Sequence, residues 1–463
     1  MIWVRNYTFL KKITIIMVFL SILLGIRWFW FTILATPEHP HAAQGVLDMR
    51  GWNFENSRSI PLNGEWEFYP EAFISHKDIM RSAIAQPHYV QVPGDWRSAL
   101  PKESDSSFGY GTYRLRILVD QPLKQPYTFW IQQIQASSIV EINGETAAVF
   151  GLPTKQTQTY RPRAVSYTAS YTASNVKEIE LLVRVANFDQ PLKGGIVKSI
   201  YFGSQAAIDT EREYSIGFQL VTFIILLLHG LYAILLYVFG PRQKTFLMFF
   251  LLLLSAGLSI VSDHDSLLLI WLPLDYTWSL KIRLLSYIWL SFFSLALARS
   301  FSEYVTGTRL FYLYAIVLGI YSVFLLIAPA PLIYYSFAAK VFSFLYLFPL
   351  AWFVYLIGNM FIRNQPDSVF LLLGATSIVS SVVWGVFNYN IEMTRVYYPI
   401  DIIVAIIGFS AYGFKRYFRN SEENAKLNEQ LRKADKLKDQ FLANTSHELR
   451  TPLHAIMNIA HTV

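Results

Sequence analysis

The sequence predicts a multidomain membrane protein: an exported all-β sandwich, a bundle of seven apolar helices and a polar helix on the cytoplasmic side. Three observations predict it. The 463-residue chain is 53% hydrophobic and 16% aromatic but only 15% charged, where a soluble domain carries about 25% charged residues. Apolar runs long enough to cross a bilayer recur along it, each about 18 residues or more. Between the first run and the others lies a polar stretch patterned like short strands.

Composition removes several classes. The net charge of +7 and a pI near 9.2 fit Lys and Arg placed in cytoplasmic loops. No basic run with interleaved aromatics occurs in a soluble segment, so a nucleic-acid partner is not expected. The chain has no cysteine, which rules out disulfides, iron–sulfur clusters and thiolate metal sites.

Residues 1–40 hold the first apolar run, Ile13 to Ala35, behind Arg5, Lys11 and Lys12. This is the pattern of a signal peptide or of an uncleaved signal anchor, and the sequence leaves both open. Arg27 interrupts the run and disfavours a deep position unless its side chain snorkels.

Residues 45–205 are expected to form the extracytoplasmic sandwich. "TYRLRILV" (Thr112 to Val119) and "IELLVRVANF" (Ile179 to Phe188) read as strands. In "EINGETAAV" (Glu141 to Val149) the pair Asn143-Gly144 suits a type I′ hairpin, whose two central residues both need positive φ.

Residues 214–418 are expected to form the bundle, with spans near 215–239, 245–262, 282–301, 309–328, 337–361, 368–388 and 397–415. With the sandwich outside, the inner connections carry Arg242, Lys244, Arg299, Arg309, Arg363, Lys415, Arg416 and Arg419. The outer ones carry Asp263, Asp265, Asp275, Glu392 and Arg395; Lys281 and Arg283 are the exceptions. That bias obeys the positive-inside rule and puts the C-terminal side in the cytoplasm. Two charges lie within apolar runs, Lys340 and Asp401. Intramembrane charges pair or line cavities, so Lys340 and Asp401 either pair with each other or snorkel separately, and the sequence leaves both open. "SDHDS" (Ser262 to Ser266) reads as a solvated outer loop, and no metal site is assigned.

Residues 419–463 turn polar. Leu427, Leu431, Ala434, Leu437 and Phe441 recur at spacings of three and four, the narrow stripe of a two-stranded coiled coil. The helix continues into "FLANTSHELRTPLHAI" (Phe441 to Ile456). At about 100° per residue, Leu449, Leu453, Ile456 and Ala460 form a seam, and His447 points roughly opposite it, beside Thr451 and His454. A histidine presented away from the seam is available to react. Its ring is mostly neutral near pH 7, so one nitrogen can act as a nucleophile. Glu448 can take the proton from the other nitrogen or hold the tautomer. Pro452 has no N–H, so the Glu448 carbonyl loses its helical partner and a bend is expected there.

This box resembles the dimerisation and phosphoacceptor helix of bacterial sensor histidine kinases. Phe441, Leu442, Ala443, Asn444, Ser446, His447, Glu448, Leu449, Arg450, Thr451, Pro452, Leu453 and Ile456 match it. The resemblance implies a protein histidine kinase of a two-component system, phosphorylated by ATP with Mg²⁺ on His447. The phosphate passes to an aspartate of a response regulator, Thr451 positions water for the regulator's dephosphorylation, and the cytoplasmic helix pairs with a second copy. Sixteen residues follow His447, too few for a nucleotide lobe, so self-phosphorylation of this stretch of chain alone is not expected.

The exterior carries "PLNGEWEFYP" (Pro61 to Pro70), "VPGDW" (Val92 to Trp96), "GYGTYRLRI" (Gly109 to Ile117), "EING" (Glu141 to Gly144), "VANF" (Val185 to Phe188) and "YFG" (Tyr201 to Gly203). That order resembles the extracellular jelly roll of bacterial seven-transmembrane receptors with diverse intracellular signalling modules. The resemblance implies a bacterial plasma-membrane sensor for a carbohydrate-like or other small ligand, with Trp66, Trp96, Tyr110 and Asn143 as candidate ligand residues. The same aromatics also suit a sandwich core. Two other classes stay in view. One is a receptor without kinase activity that serves as a phosphoacceptor or regulatory partner. The other is a solute transporter, disfavoured by the asymmetric exterior, the terminal box and the absence of a repeat between halves of the bundle.

Overall fold

The computed structural model describes the chain except residues 1, 37, 82–85, 102–105, 121–124, 173–175, 241–242, 303–306, 392–395 and 461–463. The side chains of 2–12, 388–391, 447, 451, 454–456 and 458–460 also lie outside the described set. Helix α1 (Ile2–Leu34) leads to a sandwich in which the described residues form eleven strands. These are β1 (Val46–Asp48), β2 (Ile60–Pro61), β3 (Gly64–Pro70), β4 (His88–Val92), β5 (Gly109–Leu118), β6 (Tyr127–Ile131), β7 (Ser137–Ile142), β8 (Glu145–Phe150), β9 (Tyr167–Tyr171), β10 (Glu178–Asn187) and β11 (Ile200–Ser204). The short helix α2 (His76–Met80) lies between β3 and β4.

One sheet has the order β4-β3-β5-β10-β7-β8, with β1 parallel to the end of β5; the other has the order β2-β11-β6-β9. Alternation decides what each face buries. Tyr113, Leu115 and Ile117 of β5 and Ile179, Leu181, Val183 and Val185 of β10 meet Phe129, Ile131, Ile200 and Phe202 of the second sheet in one core. The β7–β8 turn has φ of 46° at Asn143 and 87° at Gly144, as the Asn-Gly pair requires.

Strand β11 passes without a loop into α3 (Gln205–Phe239), and the Ser204 hydroxyl accepts from Ala207 N at 3.3 Å as its cap. Then follow α4 (Lys244–Ser262), the short α5 (Leu267–Trp271), α6 (Tyr276–Phe301), α7 (Thr308–Ile327), α8 (Ala330–Ala338), α9 (Val341–Ile362), α10 (Ser368–Ile391) and α11 (Ile400–Ala460). Pro349 lies inside α9 and frees the Leu345 carbonyl. The Tyr314 hydroxyl of α7 donates to that carbonyl at 2.6 Å and replaces the lost bond.

Among the described residues seven helices are long and apolar enough to cross a membrane: α1, α3, α4, α6, α7, α9 and α10 to Phe387. The set differs from the expected one by including α1 and omitting the head of α11. Asp401, Lys415 and Arg416 make that head too charged to qualify by composition. Its packing nevertheless places it in the bundle. Ile406 packs with Leu226 and Leu253, while Ala405, Phe409 and Tyr412 pack with Leu371, Ala375 and Phe353. At the sandwich end Tyr397 N donates to Ser215 Oγ at 3.4 Å. At the far end Gln365 Nε2 donates to the Tyr412 hydroxyl at 3.0 Å and to the Phe301 carbonyl at 2.7 Å. The head of α11 therefore traverses the bundle beside the others.

The two exceptional cations of α6 are both engaged. Arg283 faces Asp263 at 3.6 Å, and Lys281 Nζ donates to the Leu326 carbonyl near the end of α7 at 2.8 Å.

Candidate functional site

Helix α11 has 61 residues, roughly 90 Å at 1.5 Å per residue. Beyond the bundle it stands clear, and Leu427, Leu431, Leu437, Phe441, Leu449 and Leu453 are all exposed. Three short-range pairs support the stalk: Lys426–Glu422 at 2.7 Å, Lys433–Glu429 at 2.8 Å and Lys438–Asp435 at 2.9 Å. Asn444, Glu448, Arg450 and Pro452 are exposed on the same helix. His447 and Thr451 lie on it too, but their side chains, with those of His454 and Ile456, fall outside the described residues. The helix is continuous through Pro452. The arrangement offers an accessible helical surface around these residues.

The other end of α11 corrects an expectation. Asp401 does not pair with Lys340. It forms an ion pair with Arg27 of α1, and both side chains are buried. Arg27 also lies 4.9 Å from the Trp384 ring and 4.6 Å from the Tyr398 ring. The arginine does not snorkel: with three polarisable partners, a buried position suits it better than an interfacial one. Asp401 occupies the first turn of α11, where the helix dipole favours a carboxylate. Lys340 sits instead at the break between α8 and α9, exposed and with φ of 61°. The predicted span over 337–361 is interrupted there, between Ala338 and Val341.

Further along, Arg419 and Lys415 reach Asp367 at 2.7 and 3.4 Å, and Arg416 Nη1 donates to the Phe301 carbonyl at 2.8 Å. The loop Ser262 to Ser266 is not solvated as expected. Asp265 is buried and accepts from Ser215 Oγ at 2.6 Å, while Asp263 accepts from the Tyr287 hydroxyl at 2.5 Å. Among the described residues no three of His, Asp and Glu gather as a metal site.

The sandwich corrects the ligand residues. Trp66 and Trp96 are 0% and 1% exposed. Their indole N–H groups donate at 3.0 Å to the carbonyls of Leu62 and Ser107. They close the core around Tyr113 and offer no face to a ligand. Tyr110, half-buried, packs on Phe73. Asn143 is also half-buried, and its Oδ1 accepts from Glu180 N at 2.6 Å, a turn-fixing role. A charged row lies on the outer face of the first sheet: Arg114 bridges Glu67 at 3.1 Å and Glu180 at 2.6 Å, and Arg184 reaches Glu141 at 3.1 Å.

A cavity of about 390 Å³ opens where the sandwich meets α6, lined by Tyr160, Arg161, Asp189, Asp275, Tyr276 and Thr277 among others. Burial, with Asp275 nearby, raises the Asp189 carboxyl above its ordinary range. At the same seam the Tyr276 hydroxyl meets Gln135 of the sandwich, and Tyr334 at 2.7 Å. Sequence reasoning missed this seam and the Arg27–Asp401 pair. The one signal for the pair was that each residue breaks an apolar run.

Residues 215–412 match the family model of the 7TM diverse intracellular signalling type, and residues 437–463 match that of the His Kinase A phospho-acceptor domain. No curated protein matches the chain at a significant level. Among solved structures, a β-glucuronidase from Ruminococcus gnavus is 14% identical over 32% of this chain and 29% of its own, with a TM-score of 0.23. A GH2 β-galacturonidase from Eisenbergiella tayi is 14% identical over 32% and 24%, also at 0.23. A Bifidobacterium dentium β-glucuronidase is 15% identical over 33% and 31%, at 0.25. The chain thus spans at most about a third of the length of these enzymes, and overlaps this low carry no argument about its fold or activity. The two family models fall in order on one chain, the first on the bundle and the second on the stalk that leaves it, and so the chain joins a bundle of the seven-transmembrane signalling type to a phosphoacceptor helix of the histidine kinase type.

Proposed function

We propose that the protein is the sensor kinase of a bacterial two-component system in the plasma membrane. The sandwich, residues 45–205, faces outward and the stalk after residue 418 lies in the cytoplasm, as the Lys/Arg bias favours. The observation that carries the reading is the continuity of α11. One helix holds Asp401 inside the bundle and His447 in the phosphoacceptor box. A displacement of the bundle therefore reaches the box through a single rod. The exposed apolar stripe of the stalk pairs with a second copy of the chain. The sandwich takes a jelly-roll form, and its ligand is carbohydrate-like or another small polar molecule. Such a ligand has no access to Trp66 or Trp96; the seam cavity offers Arg161, Asp189 and Asp275.

In the reaction, a neutral nitrogen of His447 attacks the γ-phosphorus of ATP in line, the bond to the ADP oxygen breaks, and ADP leaves. Glu448 accepts the proton from the other ring nitrogen or holds the ring's tautomer. An aspartate of the response regulator then takes the phosphoryl group from phosphohistidine. Asn444 and Arg450, exposed one turn to either side, contribute to the docking surface, and Thr451 positions water when the regulator is dephosphorylated. The described residues gather no carboxylate set that fits Mg²⁺, so no residue of this chain is assigned to the metal.

The test supplies the purified receptor with Mg²⁺, labelled ATP and an ATP-binding lobe of the same kinase class. Acid-labile label is expected on the chain and should be lost in His447→Gln. Thr451→Ala should keep the label but slow the regulator's dephosphorylation. Label that persists in His447→Gln would overturn the assignment.

A further inference from the structure

We propose that α1 is retained in the mature receptor as a further membrane helix, and that Arg27 is a positioning residue for α11. The positioning half rests on the sensor-kinase reading for what α11 delivers; the retention half does not.

Contacts at the sandwich end of α1 come from three other elements. The Arg27 guanidinium pairs with Asp401 in the first turn of α11. Trp30 meets Phe218 of α3 at 5.0 Å and Tyr398, just before α11, at 5.6 Å. Phe31 lies 4.7 Å from Trp384 of α10. Leu23, one turn earlier, is buried as well. The helix is therefore seated in the bundle at the head of the output helix.

The length of the run agrees. The apolar core of a cleaved signal peptide is about 7–15 residues. Here the run Ile13–Leu34 has 22, long and apolar enough to cross a bilayer. The pairing supplies a further reason. A charged side chain within a membrane domain is costly unless matched, which is why such groups pair. Among the described residues Arg27 is the cation facing Asp401, and the two lie 374 positions apart. Removal of α1 would take from Asp401 the cation it is paired with.

Positioning follows from where the pair sits. At the far end of its bundle segment α11 is held by Asp367 through Arg419 and Lys415. At the sandwich end the Arg27–Asp401 pair is the opposing clamp. A helix held at both ends keeps one rotation about its axis. That rotation fixes which face of the stalk meets the second copy.

The experiment uses the full receptor in native membranes and again in lipid nanodiscs. Mass analysis of the purified chain is expected to find α1 present. A chain that begins beyond residue 34 would overturn retention. For positioning, single cysteines replace Leu431 or Leu437, which is clean because the chain has none of its own. Crosslinking between copies is then followed in the parent, Arg27→Gln, Asp401→Asn, the double variant and Arg27→Lys. Each single neutralisation is expected to change the crosslinking rate by roughly fivefold or more, the low end of coupling between linked sites. The double variant and Arg27→Lys should return toward the parent. If a single variant does not accumulate, recovery of accumulation in the double variant supports the pair. Single variants that fold and crosslink like the parent would overturn it, as would a double variant no better than the singles. A crosslinking change without phosphate on His447 would separate this inference from the kinase reading.

Discussion

Replacing Trp66 with alanine distinguishes a core residue from a ligand residue. The side chain is fully buried, meets Tyr113 edge-on at 6.4 Å between centroids, and donates to the Leu62 carbonyl at 3.0 Å. Truncating a buried Trp to Ala costs about 3–5 kcal/mol. The abandoned carbonyl adds about 1–3 kcal/mol if water does not reach it. The total should therefore be at least about 5 kcal/mol where water stays out. For a domain of this size, each kcal/mol lowers Tm by about 2–4 °C, so a fall of roughly 10–20 °C is expected. Trp66→Phe keeps most of the packing and should lose far less. The assay is thermal unfolding of the sandwich within the intact receptor in nanodiscs, followed by near-UV circular dichroism. A Trp66→Ala receptor that melts with the parent but no longer answers its ligand would refute the burial argument and return Trp66 to the binding surface.

Two further outcomes follow from the fold. Glu145→Cys, exposed in the β7–β8 hairpin, should react with an impermeant maleimide on intact cells, while Leu427→Cys should react only after permeabilisation; the reverse pattern would invert the proposed topology. The pH dependence of stability should carry a mark of Asp189, whose folded carboxyl is raised by burial. A raised acid binds its proton more tightly when folded, so its contribution is largest below the ordinary value of about 3.9 and falls as pH climbs to the raised value. Asp189→Asn should remove that acid-range slope and melt higher than the parent at neutral pH; identical slopes in the two proteins would sink the assignment.

What could be read from the chain was whatever repeats locally. The Asn143-Gly144 turn, strands β5 and β10, and the stalk stripe from Leu427 to Phe441 all depend on neighbours within a few residues. Asp401 shows where such reading stops. Its candidate partner, Lys340, was chosen because both interrupt apolar runs at similar depth. The actual partner lies on a helix that looked like an export signal. Only the packing of α1 against α3 and α10 brings the two together. Trp66 and Trp96 were ambiguous for another reason. An aromatic beside turn glycines looks the same whether it fills a core or faces a sugar, and only the second sheet laid over it decides. The head of α11 failed a test of composition because the charges that anchor it also lower its hydropathy.

The passage from β11 into α3 carries a consequence for engineering this receptor. Ser204 ends the last strand and caps the helix, Leu269 of α5 belongs to the sandwich core, and Gln135 is tied to Tyr276. The sandwich is therefore not an interchangeable cartridge. A chimera that exchanges the sandwich alone would cut through a cap, a shared core and a tyrosine network together. The opposite end differs: from Ser421 to Asn444 every residue of the stalk is exposed. Grafting new outputs is a problem of helical phase below Arg419, whereas grafting new inputs means carrying the exterior and the bundle over as one piece.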